Sequence, residues 1–199
     1  GVTLWPGEES TKLEKDLIVV DREFNSSRQK HAILEDIKFS LQSFVKSATL
    51  IDEISAVADE FITNAIFNAP YVNPRTFENQ RVDRTSVIDL PKKKPARIFL
   101  AEDGARLLIG IQDKFGSLDI SSYLGRVAQC YRGGVREAIN FGPGGAGIGS
   151  YIIFNTGSSL YYGVKPGKLT LLACVVPYRM SRRKREDLPK HLHWIKGNK

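Results

Sequence analysis

The sequence has little of what would place it in several large protein classes. Its 199 residues contain two cysteines, Cys130 and Cys174, and their spacing does not suit a metal site, so we interpret both as reduced, buried thiols. No apolar run approaches the roughly 18 residues of a membrane-spanning helix. The first residues, GVTLWPGEES, lack the charged and then apolar pattern of a secretory signal. We therefore expect a cytoplasmic protein that does not cross a membrane.

Charge is unevenly distributed along the chain. The net charge of the chain is +7. Residues 179–199 hold eight Lys or Arg against two acidic residues, so this segment alone has a net charge of +6. We interpret this segment as a basic tail, more typical of a solvated extension than of a surface that binds nucleic acid or anionic lipid. The full chain has 42% hydrophobic and 26% charged residues, which is typical of a globular protein, and we predict one folded domain at 16–178 after an N-terminal extension at 1–15.

The most strongly patterned stretch is Ile51–Pro70. Eight apolar residues in it recur at steps of three and four, which is the spacing of one buried helix face. Glu60, Asn64 and Asn68 are each four residues apart and therefore stack along the edge of that face. A carboxylate and two carboxamides at this boundary indicate the wall of a pocket.

The other patterns predict a sheet with supporting helices. An irregular, proline-containing stretch at 71–96 predicts a long loop or insertion, which either covers a site or is simply tolerated. Surface exposure is expected for His31, and a metal site at His191 and His193 is disfavoured for lack of further ligands. Strands are predicted at 16–24, 97–101, 106–112, 160–164 and 168–177, and helices at 28–46, 123–131 and from 150.

An acidic residue and a glycine-rich segment mark two further candidate sites. Asp113 ends the strand at 106–112, and Gly116 lets the backbone turn away while the carboxylate points into a cleft. Glycines at 142–149 come directly before a helix, where open amide hydrogens and the helix dipole favour phosphate. A flexible loop without a ligand is the alternative, and the Gly-Lys-Ser/Thr of a Walker motif is absent.

These motifs, in this order, resemble those of the histidine-kinase-like ATPases, also called the GHKL or Bergerat-fold family. The resemblance covers roughly residues 39–178 and rests on four segments. The helix segment EFITNAIFNA from Glu60 resembles the N-box, Asp113 with Gly116 the first glycine box, Gly145-Ala146-Gly147-Ile148-Gly149 the second, and Gly167-Lys168-Leu169-Thr170 the glycine and threonine before the last strand.

The resemblance implies a fold and a set of residue roles. The fold would be an α+β two-layer sandwich, in which a mixed, mostly antiparallel sheet is covered on one face by helices and carries a glycine-rich ATP lid. Glu60 would be the catalytic general base or would orient the water shell of the metal, Asn64 would hold magnesium, and Asp113 would accept a hydrogen bond from the exocyclic amine of adenine. The ATP-binding set would be completed by Asn68, Gly116, Gly145, Ala146, Gly147, Gly149 and Thr170.

Two positions depart from the family pattern. Asn68 stands where the family often has a cationic residue, which would weaken phosphate contact. Phe115 stands at the usual position of the first glycine in the box that begins with Asp113.

The resemblance leaves three functions open. The first hypothesis is an ATP- and magnesium-dependent protein kinase like the stand-alone anti-sigma-factor serine kinases, acting on a protein regulator of the anti-anti-sigma, sigma or other signalling type. The second is a nucleotide-gated binding module without phosphotransfer, in which ATP orders a lid between Asp119 and Ala146. The third is a detached catalytic domain of a two-component histidine kinase. A homodimer is left open.

Overall fold

The computed structural model describes residues 2–3, 12–13, 17–73, 76, 80, 82–139 and 148–197, and within these ranges it describes side chains at 17–132 and 149–197. Two short strands, β1 (Val2–Thr3) and β2 (Lys12–Leu13), form an antiparallel pair of their own. The main sheet contains β3 (Ile18–Phe24), β4 (Ala96–Glu102), β5 (Arg106–Asp113), β6 (Ser159–Lys165), β7 (Leu169–Pro177) and β8 (His191–Lys196). The helices are α1 (Lys30–Gln42), α2 (Ala48–Thr63), α3 (Ile120–Ile139), α4 (Ile148–Thr156) and α5 (Arg182–Glu186).

The main sheet has the strand order β3-β4-β5-β7-β6-β8. Its neighbours pair antiparallel except β8, which runs parallel to β6. The helices cover one face, where α2 packs on β4 and β5 and α1 packs on β3. The prediction of a two-layer α+β sandwich with a mixed, mostly antiparallel sheet is therefore confirmed.

Helix α2 forms because its apolar stripe fills the layer between sheet and helices. Ile54, Phe61 and Ile62 are fully buried in the main core, and each such side chain contributes about 1.5–3 kcal/mol of transfer free energy. At the start of the helix the Ser47 hydroxyl accepts the Leu50 N–H at 3.3 Å, which satisfies one of the open amides of the first turn.

The apolar spacing predicts an α-helix up to Pro70. The structure departs from this prediction. Helix α2 ends at Thr63, a π-helical turn follows at Asn64–Asn68, and a 3-10 turn covers Ala69–Tyr71. The Ala69 N–H donates to the Asn64 carbonyl, five residues back. Because Pro70 has no N–H, an i to i−4 pattern cannot continue through it, and the chain changes helix type instead.

The stretch at 71–96 is partly docked on the domain. The Leu90 N–H donates to the Asn25 carbonyl at 2.6 Å, and Ser27 exchanges hydrogen bonds with Ile88 through its N–H and its hydroxyl. Leu90 is buried. The end of this stretch is thus fastened beside β3.

The helix predicted at 123–131 is longer in the structure, where α3 spans 20 residues from Ile120. The sequence predicts a helix end before Gly133 and Gly134, since glycine is a poor helix former. Asp119 caps the observed start by accepting the N–H groups of Ser121 and Ser122 at 3.1 and 3.2 Å.

The segment after Tyr178 adds α5 and β8 to the fold. Arg185 of α5 is buried and donates to the Glu53 carboxylate on α2 at 2.9 Å. Lys190 donates to the carbonyls of Asn155 and Gly157 at the end of α4 at 2.8 and 2.7 Å. A functional domain boundary near Tyr178 stays a prediction. Among the described helices, none is long and apolar enough to cross a membrane.

Candidate functional site

A cleft of about 290 Å³ lies between the α2 end of the helix layer and the ends of β5 and β7. Its volume is close to the lower end of the usual range for small-molecule sites, roughly 300–1,000 Å³. The cleft brings together five of the residues that the sequence singled out, namely Glu60, Asn64, Asn68, Asp113 and Thr170.

Asp113 and Thr170 form the sheet end of the cleft. They face each other across the β5–β7 pairing, because the antiparallel register aligns them directly. Both side chains are buried, and the Thr170 hydroxyl has no hydrogen-bond partner in the described part of the chain. It lies close enough to help lower the pKa of Asp113, although it lacks the geometry of a hydrogen bond to it. A buried hydroxyl without a partner is costly, so this pair is suited to a polar ligand.

Burial raises the pKa of Asp113 to about 6, and the Phe115 N–H, which donates to its Oδ1 at 2.9 Å, offsets part of that rise. Lys94 also lowers the pKa of Asp113 through its charge. The Lys94 ammonium lies 5.0 Å from the centroid of the Phe115 ring. Phe115, which departs from the GHKL pattern, thus packs beside Lys94. It is not one of the described residues that line the cleft.

Gly116 makes the turn after Asp113 possible. Its φ is +61°, a conformation that favours glycine, and an added Cβ would lie 2.1 Å from the Lys165 carbonyl oxygen. Its own carbonyl accepts the Gly167 N–H at 3.1 Å. The chain after β5 is therefore fastened to the β6–β7 turn, which holds the Asp113 carboxylate at the end of the sheet.

Glu60, Asn64 and Asn68 form the helix end of the cleft. The Asn64 Nδ2 donates to Glu60 Oε1 at 2.9 Å, and the Asn68 Nδ2 donates to Asn64 Oδ1. The predicted stacking of the three side chains is thus present. Loss of hydration on burial raises the pKa of Glu60, while its bond from Asn64 and the nearby charge of Arg84 lower it in part.

Gly149, in the first turn of α4, is in contact with the Glu60 side chain. A Cβ added to Gly149 would lie 1.8 Å from the Glu60 carboxyl carbon and 2.1 and 2.3 Å from its two oxygens. A side chain at this position would require the Glu60 carboxylate to move. Since the start of a helix attracts anions, Glu60 lies where a phosphate at this helix would lie. The predicted residues Gly145, Ala146 and Gly147 lie outside the described residues.

The structure adds residues that the sequence patterns did not single out. Arg84, from the irregular stretch, and Arg126, from α3, line the same cleft. Ser117 also lines it and donates to the Ala69 carbonyl at 2.9 Å, and Tyr123 donates to the Ser150 carbonyl at 2.9 Å, which ties α3 to α4. Arg84 and Arg126 belong to no motif or period, so the sequence held no signal for them beyond the rule that long loops often carry function.

The fold and the cleft define a class of protein: an α+β sandwich with a polar cleft between a helix of its covering layer and the end of its sheet. No protein-family model matches the chain, and no curated protein matches it. Among solved structures, a chain of the SiaB-SiaC complex from Pseudomonas aeruginosa has a similar fold. It is 16% identical, the match covers 80% of this chain and 90% of that chain, and the TM-score is 0.53. At this identity the similarity shows a related fold alone.

Proposed function

We propose that the protein binds ATP in this cleft and acts as a regulatory protein kinase of the GHKL type on a protein partner. The observation that carries the proposal is the buried pair of Asp113 and Thr170, a carboxylate and an unpartnered hydroxyl at the closed end of a cleft. A carboxylate accepts from an exocyclic amine, and the hydroxyl can pair with a ring nitrogen. Adenine offers both groups, whereas guanine presents a carbonyl oxygen in place of that amine.

The helix end of the cleft fits a magnesium ion held mainly by the nucleotide. In the described part of the chain no group of three His, Cys, Asp or Glu side chains could hold a metal alone. Asn64 Oδ1 is a hard oxygen of the kind magnesium prefers, and this ion usually takes one or two protein ligands together with phosphates and water. When bound, magnesium would neutralise phosphate charge during transfer.

Glu60 would act as the general base. Its raised pKa brings the carboxylate nearer to the range in which a base is effective at neutral pH. The base would take the proton of the attacking hydroxyl while the γ-phosphoryl group moves to that oxygen and ADP leaves. Asn64, through its 2.9 Å bond, orients the Glu60 carboxylate.

A protein partner is proposed from the fold neighbour, which was solved as part of a two-protein complex. The partner would present the serine or threonine that accepts the phosphoryl group. The acceptor would be an exposed residue of the partner, since the cleft opens between the helix layer and the end of the sheet.

Calorimetry on the full chain tests the proposal. We expect saturable binding of ATP with magnesium, weaker binding of ATP with a chelator, and no binding of GTP at the same concentrations. A Glu60→Gln variant keeps the shape of the side chain and should bind ATP while losing phosphate release or transfer. Absence of ATP binding to the wild type would rule out the nucleotide site.

One observation favours a second candidate, a nucleotide-gated binding module without phosphotransfer. Asn64 Oδ1 is engaged by Asn68, and the Glu60 carboxylate is packed on Gly149. A nucleotide would compete with these contacts, and its binding would act chiefly by moving α4. Unchanged hydrolysis in Glu60→Gln, with ATP binding intact, would support this candidate over the kinase.

A further inference from the structure

Two arginines line the cleft of a chain that lacks the cation often found in the GHKL N-box. Asn68 occupies the position that often carries a positive charge, yet Arg84 and Arg126 line the same cleft from other parts of the chain. Within the described residues, neither arginine forms an ion pair with a carboxylate at 4.0 Å or less. Among these residues, neither guanidinium group is therefore held in a salt bridge.

The cleft also holds three acidic residues, Glu60, Asp113 and Asp119. A polyphosphate placed beside these carboxylates would be repelled unless cations of the protein faced it. The guanidinium group is suited to this task because its fork of donors matches the oxygens of a phosphate. Arg84 is near enough to Glu60 for its charge to lower the pKa of that carboxyl. This places Arg84 at the helix end of the cleft.

Each arginine lies in a segment with local hydrogen bonds. Arg84 lies in a turn closed by the Thr85 N–H, which donates to Asp83 Oδ1 at 2.9 Å, and by the Ser86 N–H, which donates to the Asp83 carbonyl at 3.1 Å. Arg126 lies on α3, and its Nε donates to the Ser122 carbonyl at 3.2 Å. Both side chains therefore start from hydrogen-bonded local structure, one in a turn and one in a helix, and both line the cleft.

We propose that Arg84 and Arg126 form the cationic part of a polyphosphate subsite and replace the charge that Asn68 does not supply. This inference rests on the proposed function and adds that Arg84, which follows from no sequence motif, is part of the nucleotide site. The ligand chemistry is that of a nucleoside diphosphate or triphosphate, with the phosphates toward Glu60 and the base toward Asp113.

Binding of adenosine, ADP and ATP by the full chain separates the two ends of the site. For Arg84→Gln and for Arg126→Gln we expect about tenfold weaker ATP binding each, a larger loss in the double variant, and adenosine affinity within twofold of wild type. Arg84→Lys should restore part of the loss. Arg183→Gln is the matched control, since it removes one exposed charge from α5 and should leave all three affinities unchanged.

The outcomes distinguish this proposal from the proposed function. Equal weakening of adenosine and ATP, or no weakening of either, overturns the polyphosphate subsite while nucleotide binding stands. An equal loss of ATP affinity in Arg183→Gln would also overturn it, because the effect would then follow net charge alone. A wild type that binds neither adenosine nor ATP overturns both the subsite and the proposed function.

Discussion

The two ends of the cleft differ in how they are built. At the sheet end, Asp113 and Thr170 are adjacent in one antiparallel register, and Gly116 fastens the following turn by backbone contacts. At the helix end, side chains from α2, the π turn, the stretch at 71–96, α3 and the start of α4 meet. The first end is made by strand pairing, and the second by packing of separate segments.

The two ends of the cleft should also differ in how far they change when a ligand binds. Asp113 is 6% exposed and held by backbone hydrogen bonds, so the sheet end should change little when a ligand binds. At the helix end, Asn64 is hydrogen-bonded to Glu60 and to Asn68, and the Glu60 carboxylate packs against Gly149. A bound nucleotide would replace some of these contacts with its own. We therefore expect the sheet end to select the base and the helix end to respond to phosphates.

The largest expected effect is on stability at the sheet end. Gly116→Ala combines a positive φ, which costs about 1–2 kcal/mol for a side chain, with contact to backbone atoms that cannot move aside. We expect the free energy of unfolding in chemical denaturation to fall by roughly 3 kcal/mol. Gly104→Ala, also at positive φ but with nothing within 4 Å of the new Cβ, should show the conformational cost alone. An equal cost in both variants would contradict the packing described for Gly116.

The next effect separates binding from stability at Asp113. Asp113→Asn removes the charged acceptor, and a hydrogen bond to a charged group contributes about 1.5–3 kcal/mol, so adenosine and ATP should bind roughly 10–100 times more weakly. The same variant removes a buried charge, and its stability at pH 7 should rise by up to about 3 kcal/mol. Thermal unfolding and calorimetry measure the two. A loss of stability together with intact binding would invert the comparison.

At the helix end, Gly149→Ala also gains the helix preference of alanine, but its methyl group overlaps the buried Glu60 carboxylate, so the variant should be about 1–3 kcal/mol less stable than that gain alone predicts. Gly125→Ala in α3 is the control, since its Cβ meets nothing within 4 Å and alanine favours a helix by about 1 kcal/mol. Combining Gly149→Ala with Glu60→Ala should recover most of the loss, giving a coupling energy in a double-mutant cycle. Strictly additive losses would mean that the two residues are not in contact.

The smallest effect is a pH dependence. The pKa of Asp113 is raised to about 6, so the native state keeps a proton that the unfolded chain releases near pH 4, and stability falls as pH rises through this window. Adenosine needs the ionised carboxylate, so its affinity should fall about tenfold from pH 7 to pH 5. Calorimetry of the wild type and of Asp113→Asn checks this, and a similar pH dependence in both would assign it to another group.

The same division explains what the sequence could predict. Asp113 and Gly116 are recognisable because strand ends and turn glycines follow from local patterns. Thr170 is predicted only by the resemblance to the GHKL motifs, because the pairing of β5 with β7 is not local. The edge residues Glu60, Asn64 and Asn68 follow from helical spacing. Arg84 and Arg126 depend on how a loop docks and where a long helix runs, which no local period encodes. The change from α to π helix after Thr63 was missed for a related reason, since apolar spacing alone does not report hydrogen-bond pattern.

The π turn at Asn64–Asn68 has a consequence for how this chain is compared with others. A π turn accommodates what amounts to a one-residue insertion in an α-helix, which would otherwise rotate everything after it by about 100°. In a relative whose helix stays regular here, we expect the position in space of Asn68 to be taken by a residue one place earlier in the chain. Alignments across this helix therefore need a one-residue gap where neither sequence shows a loop.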